Sequence, residues 1–232
     1  MSEKQENFTL LNGRVQMVRS IYNPTSDAVW LAAFVPDNIP FKKVLDVGIG
    51  TGGVALCLLS RFPDMEMTGI DTSDEMLEVC QANAELNNKK INLMNQDIFK
   101  WSTPERYDLV VTNPPYFWGT PSKTNAGAHH NVDIKTWIRK AGARVSSNGY
   151  LCTIVDAWCA DKIIASLHDR HFGEIVVFPL FGTKKSAERV LIRAKNCVKT
   201  GATFYCGSLM NNDTILREGL TVDALLSKMG TK

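Results

Sequence analysis

From residue 42 onward, short runs of β-branched and aliphatic residues alternate with stretches whose apolar positions recur every three or four residues. KKVLDVG, MEMTGID, INLMNQD, YDLVVTN and GYLCTIVDA read as strands; VALCLLSRF, DEMLEVCQANAEL and segments near 132–147 and 158–170 read as helices. Strands separated by helices pair in parallel through right-handed crossovers, so the helices end up on both faces of one sheet. EIVVFPLF and ERVLIRAKN depart from this rhythm. Only the stretch from Gly182 to Ala187 separates them, too little chain for a crossover, which predicts an antiparallel hairpin closing one edge. The fold class expected is therefore α/β, a doubly wound, mostly parallel seven-stranded sheet with an antiparallel C-terminal hairpin.

Residues 1–41 form a preface whose SDAVWLAAFV opens on a capping-type Ser26-Asp27 and continues as an apolar helix, expected to lie across a ligand cleft. Residues 117–131, rich in Gly, Ser, Thr and Asn, read as a loop, and the tail beyond 200 shows one helix, near 221–229. A chain of 232 residues with 44% hydrophobic content suits a single domain spanning 1–232. No window approaches 18 apolar residues and MSEKQENFTL lacks a signal-peptide pattern, so a cytoplasmic protein with no membrane partner is expected. Six scattered cysteines without a C-x-x-C pair read as reduced core residues. A net charge of +2 does not by itself declare a nucleic-acid partner.

Candidate chemistry begins where the first strand turns into the first helix, at Asp46-Val47-Gly48-Ile49-Gly50-Thr51-Gly52-Gly53. Gly48, Gly50 and Gly53 also satisfy the dinucleotide fingerprint. Asp46 argues against a pyrophosphate, which its charge would repel, and suits the ammonium of an amino-acid-bearing cofactor such as S-adenosylmethionine (AdoMet). Asp71, ending the second strand, can accept both hydroxyls of a ribose, and Asp97 with Ile98, after the third, can meet an adenine ring and its amine. The predicted cofactor site is Asp46, Gly48, Gly50, Gly52, Asp71, Asp97 and Ile98.

The fourth strand ends in Asn113-Pro114-Pro115-Tyr116. An amine conjugated to a ring, or a carboxamide nitrogen, is a poor nucleophile because its lone pair is delocalised. Two acceptors, the Asn113 carboxamide oxygen and the Pro114 carbonyl, can take its two hydrogens and turn the lone pair toward an electrophilic methyl. Pro114 and Pro115 stiffen the turn. Tyr116 offers a face for stacking a flipped base or planar amide, Phe117 a pocket wall and Trp118 a further stacking surface. This chemistry needs no metal, and His129-His130 lack Cys or acid partners at ligand spacing. Lys184, Lys185, Arg189, Arg193, Lys195 and Lys199 gather between 182 and 200. They suit either contacts to RNA phosphates, with Arg189, Arg193 and Lys195 on one strand face, or a solvated edge that discourages strand pairing. Trp30, Trp101, Trp137 and Trp158 sit in amphipathic patterns and read as core.

With these residues assembled, the chain resembles the Rossmann-like class I AdoMet-dependent methyltransferases of the NPPY type. Within them it resembles more closely the bacterial family that methylates adenine N6 at position 37 of a valine tRNA. LNGRV, SDAVWLAAFVP, LDVGIGTGGVALCL, NPPYF and AERVLIRAK carry the likeness, which runs from about residue 11 to 197. The resemblance implies that Asp46, Gly48, Gly50, Asp71 and Asp97 line an AdoMet pocket closed by Asp27 and its neighbours. It further implies that Asn113 through Tyr116 hold an adenine of tRNA. Ile21-Tyr22-Asn23 departs from the family's Gly-Tyr-Arg, and the tail beyond 200 matches poorly. The tetrapeptide equally suits a glutamine side-chain amide of a translation factor or guanine N2 of ribosomal RNA. A non-catalytic AdoMet- or RNA-binding module would keep the glycine loop without transfer, and a nicotinamide-dependent oxidoreductase would leave Asn113 to Tyr116 unexplained.

Overall fold

The computed structural model describes residues 7–20, 22–115 and 133–229. A first hairpin, β1 (Asn7–Leu10) and β2 (Val15–Val18), turns through Leu11–Gly13, and α1 (Ser26–Phe34) follows. The doubly wound core then runs β3 (Lys43–Val47), α2 (Gly53–Arg61), β4 (Glu66–Asp71), α3 (Asp74–Leu86), β5 (Ile91–Asn95), β6 (Tyr107–Thr112), α4 (Ile134–Gly142), β7 (Val145–Asp156) and α5 (Ala160–His168). It closes with β8 (Phe172–Phe181), β9 (Arg189–Asn196), the short β10 (Ala202–Phe204) and β11 (Ser208–Leu209), then α6 (Asp213–Leu216) and α7 (Val222–Met229).

The main sheet runs in the order β10-β8-β9-β7-β6-β3-β4-β5, with β11 also paired to β8. All seven predicted strands are present. β8 and β9 form the expected antiparallel hairpin, but β9 is inserted between β7 and β8, pairing antiparallel with both. The hairpin does not end the sheet, because the tail adds β10 and β11 in parallel outside β8. β3 lies at the centre between β4 and β6. Covered by helices on both faces, it shows four consecutive buried residues, Val44 to Val47, where a half-exposed strand would alternate.

Helix boundaries shift from the expected ones for local reasons. α1 is capped by Thr25, whose hydroxyl accepts from the Asp27 amide, one residue before the expected Ser26-Asp27 cap. α4 ends at Gly142, and Val145–Gly149 belong to β7, where left-handed Asn148 (φ 62°) accompanies a register shift against β6. Four cysteines are buried, whereas Cys197 and Cys206, near and within the tail, are exposed.

The largest departure concerns α1. It is buried along its length from Asp27 to Phe34, packed among α2, α6, α7, β7 and β9. Its Trp30 indole donates to the Met210 carbonyl at 2.9 Å. Two arginines satisfy its C-terminal carbonyls. Arg61 donates to Ala32 and Val35 and pairs with Asp37, and Arg193 donates to Phe34 at 3.1 Å while pairing with Asp223 of α7 at 2.9 Å. The tail, whose helix expected near 221–229 is α7, thus covers a core helix with α6 and α7. No helix among the described residues is long and apolar enough to cross a membrane.

Candidate active site

Parallel pairing of β3, β4, β5, β6 and β7 brings their C-terminal ends out along one edge, where open α/β sheets place their ligand crevices. Gly48, Gly50 and Gly52 all have left-handed backbone, with φ of 74°, 53° and 88°. At Gly52 a Cβ would lie 2.7 Å from the Cys80 sulfur, and at Gly48 it would lie 3.3 Å from the Trp137 ring. Conformation favours glycine at all three positions, and at Gly52 space excludes a side chain as well.

Asp71 shapes this loop. Its Oδ2 accepts from the Gly50 amide at 2.9 Å and its Oδ1 from Ser73 at 3.1 Å, while the amides of Gly48 and Ile49 donate to the Ile70 carbonyl. A carboxylate retains further lone pairs after two such bonds, so hydroxyls of a ribose remain within its capacity. Asn83 of α3 secures the loop from behind, donating to the Thr51 carbonyl at 2.9 Å and accepting from Val18 of β2 at 2.7 Å. Asp97 accepts from the Phe99 amide at 2.9 Å and begins a turn, leaving its other oxygen 3.7 Å from Lys100. Ile98 is buried in the core with Leu45, Val47 and Ile70.

Asp46 is the anomalous group. It is only 1% exposed, and its Oδ2 has no hydrogen-bond partner among the described residues. Burial, reinforced by the negative charge of Asp71, pushes its pKa up to about 8. A carboxyl so placed, under a loop whose Gly48, Ile49, Gly50 and Gly52 amides are already paired within the protein, fits a ligand bringing a positive charge and answers poorly to an anionic one. The donor set therefore suits an amino-acid ammonium and a ribose. Among the described residues no group of three or more His, Cys, Asp or Glu is placed to hold a metal ion.

The cleft in front of the loop is lined by Gly48, Ile49, Gly50, Thr51, Gly53 and Val54, by Met76, and by Asn113 at the end of β6. Its opposite wall is Tyr22, Asn23, Pro24, Thr25 and Ala28, held so tightly that a Cβ on Gly53 would lie 2.6 Å from Pro24. Asn113 is thus brought into the same crevice as the glycine loop, with buried Pro114 and half-buried Pro115 beside it. Tyr116, Phe117, Trp118, His129 and His130 lie outside the described residues.

Sequence reasoning missed Trp137 and Thr112. Trp137, expected in the core, is half-buried against Gly48 and edge-on to Phe99 at 5.8 Å. Its indole donates to the Thr112 hydroxyl at 3.0 Å, which in turn donates to the Val47 carbonyl at 2.8 Å. This relay ties α4 to the ends of β6 and β3. The amphipathic spacing of Trp137 does not reveal these contacts, since its partners lie 25 or more residues away.

The basic cluster divides. Arg189 pairs with Asp27 at 3.1 Å and approaches Asp156 at 3.7 Å. Arg193 is bound to Asp223, and Lys195 lies 3.9 Å from Glu174. These three side chains are partly buried and answer internal acids, so they do not form the phosphate-facing strand that their spacing suggested. Lys184, Lys185 and Lys199 are exposed. Trp158 is also exposed, at 76%, against its expected place in the core, because it sits on the turn after β7 and not on the inner face of α5.

Fold and site together define a doubly wound α/β protein with a ligand crevice at the strand ends, lined by the glycine loop and by Asn113 just past β6. Residues 26–179 match the Methyltransferase small domain, and the chain belongs to that family. It is similar to the tRNA1(Val) (adenine(37)-N6)-methyltransferase of Flavobacteriaceae bacterium (strain 3519-10), 31% identical over 145 residues covering 61% of this chain and 62% of that protein. It is also similar to the release factor glutamine methyltransferase of Streptococcus pneumoniae, 42% identical over 74 residues covering 32% of this chain and 26% of that one. Among solved structures it resembles one described as a predicted O-methyltransferase from Agrobacterium tumefaciens, with a TM-score of 0.69, 23% identity, and coverage of 84% of this chain and 97% of that chain. That last likeness speaks for the fold. The chain spans 62% and 63% of the length of the first two curated relatives it matches.

Proposed function

We propose that this protein transfers a methyl group from AdoMet to the exocyclic N6 amine of an adenine in RNA, specifically a tRNA, in the cytoplasm. The observation that carries the reading is the meeting of the glycine loop and Asn113 in one crevice, beside the buried carboxyl of Asp46, whose Oδ2 has no hydrogen-bond partner among the described residues. In this reading Asp46 receives the ammonium of the cofactor, Asp71 its ribose, and Asp97 with Ile98 flanks its adenine. When bound, AdoMet supplies a methyl on a positively charged sulfur, which leaves as a neutral thioether once the acceptor nitrogen has taken that methyl. The Asn113 carboxamide oxygen and the Pro114 carbonyl hold the two N–H groups of the acceptor, so that its lone pair is available. The product nitrogen sheds its extra proton to solvent, and the step asks for no strong base. Tyr116, Phe117 and Trp118 follow directly in sequence and serve as stacking surfaces for the base.

Adenine in tRNA is favoured over a glutamine amide by the extent of the likeness, 145 residues against 74. The 42% identity over the shorter stretch keeps the amide as a second reading. The test incubates the purified chain with labelled AdoMet and either total RNA or total protein, followed by mass spectrometry of nucleosides. N6-methyladenine is expected in tRNA, and Asn113→Ala is expected to lower transfer by roughly 100-fold or more, the scale of losing one preorganised polar contact to a reacting group, without weakening AdoMet binding. N2-methylguanine, or label in protein alone, would overturn the acceptor. Undiminished transfer by Asn113→Ala would overturn the mechanism.

A further inference from the structure

Trp158 has no role in the crevice, and it is exposed to 76%. An indole left in water forgoes the burial that large aromatic side chains usually obtain in a fold. Its position is defined by register. In the parallel pair of β6 and β7, Thr112 lies opposite Thr153. Three residues further, β7 ends at Asp156, and three residues past Thr112 comes Pro115, so the turn bearing Trp158 emerges at the same sheet edge as Asn113–Pro115. Adjacent strands lie about 4.8 Å apart.

The turn is also fixed. The Trp158 amide donates to the Asp156 carboxylate at 3.1 Å, and the Ala157 amide donates to the Glu188 carbonyl at 3.2 Å. The second bond ties it to the β8–β9 hairpin, whose loop carries the exposed Lys184 and Lys185. Asp156 pairs in register with Arg189, as does Leu180, so that loop opens on the same edge. An anchored aromatic face beside two exposed ammonium groups is the combination that single-stranded nucleic acid selects, through base stacking together with phosphate contact.

Building on the RNA reading above, we propose that Trp158 is a positioning residue that stacks on an unpaired nucleobase neighbouring the target base, while Lys184 and Lys185 meet the adjoining phosphates. The flanking base would then be held outside the crevice as the target enters it.

The test measures steady-state transfer to tRNA, equilibrium binding of tRNA and of AdoMet, and thermal stability, for the wild type, Trp158→Ala and Trp158→Phe. Loss of one stacked base corresponds to about a 5- to 150-fold weaker hold on RNA. Trp158→Ala is expected to raise KM and Kd for tRNA within that range, with kcat changed much less. AdoMet affinity and Tm should stay at wild-type values, and Trp158→Phe should recover most of the loss. Wild-type tRNA binding and KM in Trp158→Ala would overturn the proposal while leaving the function intact. So would a parallel fall in Tm, or a change in oligomeric state without a change in RNA binding, either of which would give Trp158 a structural or protein-contact role. If the wild type modifies protein and not RNA, both the RNA reading and this proposal fall.

Discussion

Replacing Asp46 by asparagine separates what the buried carboxyl costs the ligand-free fold from what it contributes to binding. Its pKa is raised from 3.8 to about 8 by burial and by Asp71, so between those values the folded chain holds a proton that the unfolded chain has already released. Stability is therefore complete below about pH 4 and declines as the pH rises toward 8. At pH 7 the interval above 3.8 is about 3 pH units, which at about 1.4 kcal/mol each makes the decline about 4 kcal/mol. The asparagine side chain would have the shape of the protonated acid and no titration. The ligand-free Asp46→Asn variant should accordingly be more stable than wild type at pH 7, by up to about 4 kcal/mol, with its urea midpoint nearly flat from pH 5 to 8. Binding should move the opposite way. S-adenosylhomocysteine brings an ammonium that favours the carboxylate, so wild type must release close to one proton per ligand bound at pH 7, and its affinity should rise as the pH goes from 6 toward 8. Truncating one partner of a buried charge pair costs about 2–5 kcal/mol, so the variant should bind on the order of 30- to 5000-fold more weakly and release no proton. Calorimetry in buffers of different ionisation enthalpy reads both quantities. Equal affinity of variant and wild type, or binding by wild type without proton release, would refute the assignment of the ammonium to Asp46.

Two further variants test the packing around the site. Gly52→Ala forces a side chain onto a φ of 88° and to 2.7 Å from the Cys80 sulfur, and should cost about 2–3 kcal/mol in urea denaturation. Adding Cys80→Ala should recover only the steric share of that loss. Arg193→Ala removes the cap on the Phe34 carbonyl and the partner of Asp223, a loss of about 3 kcal/mol for a largely buried pair. Limited proteolysis should then clip the chain within the α7 region before any other segment, and unchanged protection of the tail would show that the arginine does not anchor it.

The features legible in the sequence are those whose causes are local. A glycine with φ of 88° declares itself because any other residue is strained there. β3 reads as a strand from its run of Val44, Leu45 and Val47, and Asn113-Pro114-Pro115-Tyr116 stands out because its chemistry lies within four consecutive residues. What the sequence concealed depends on partners far along the chain. Arg189, Arg193 and Lys195 recur with period two and look like one basic strip, yet the acids that bind them, Asp27, Asp223 and Glu174, are contributed by α1, α7 and β8. Spacing within a strand records which residues share a face and carries no information about what will be folded against that face. Trp158 departs from its amphipathic pattern for a related reason, since the turn after β7 leaves it exposed, whereas Trp137 packs against the core as its pattern suggests and also reaches Gly48 because α4 passes over the glycine loop.

The part played by α1 is likewise set by contacts far along the chain. An apolar helix in the N-terminal segment, ahead of the glycine loop, reads as a cover laid across a crevice, and a cover would be held by few contacts. Instead α1 is buried from Asp27 onward, its C-terminal carbonyls are taken by Arg61 and Arg193, and its Asp27 is joined to Arg189 at the start of β9. Moving such a helix would expose Trp30 and Phe34, both fully buried, at a cost of about 1.5–3 kcal/mol or more for each. Thr25 and Ala28 consequently face the glycine loop as a fixed wall. The geometry between that wall and Asn113 is set by the core of the protein, independently of any ligand that enters.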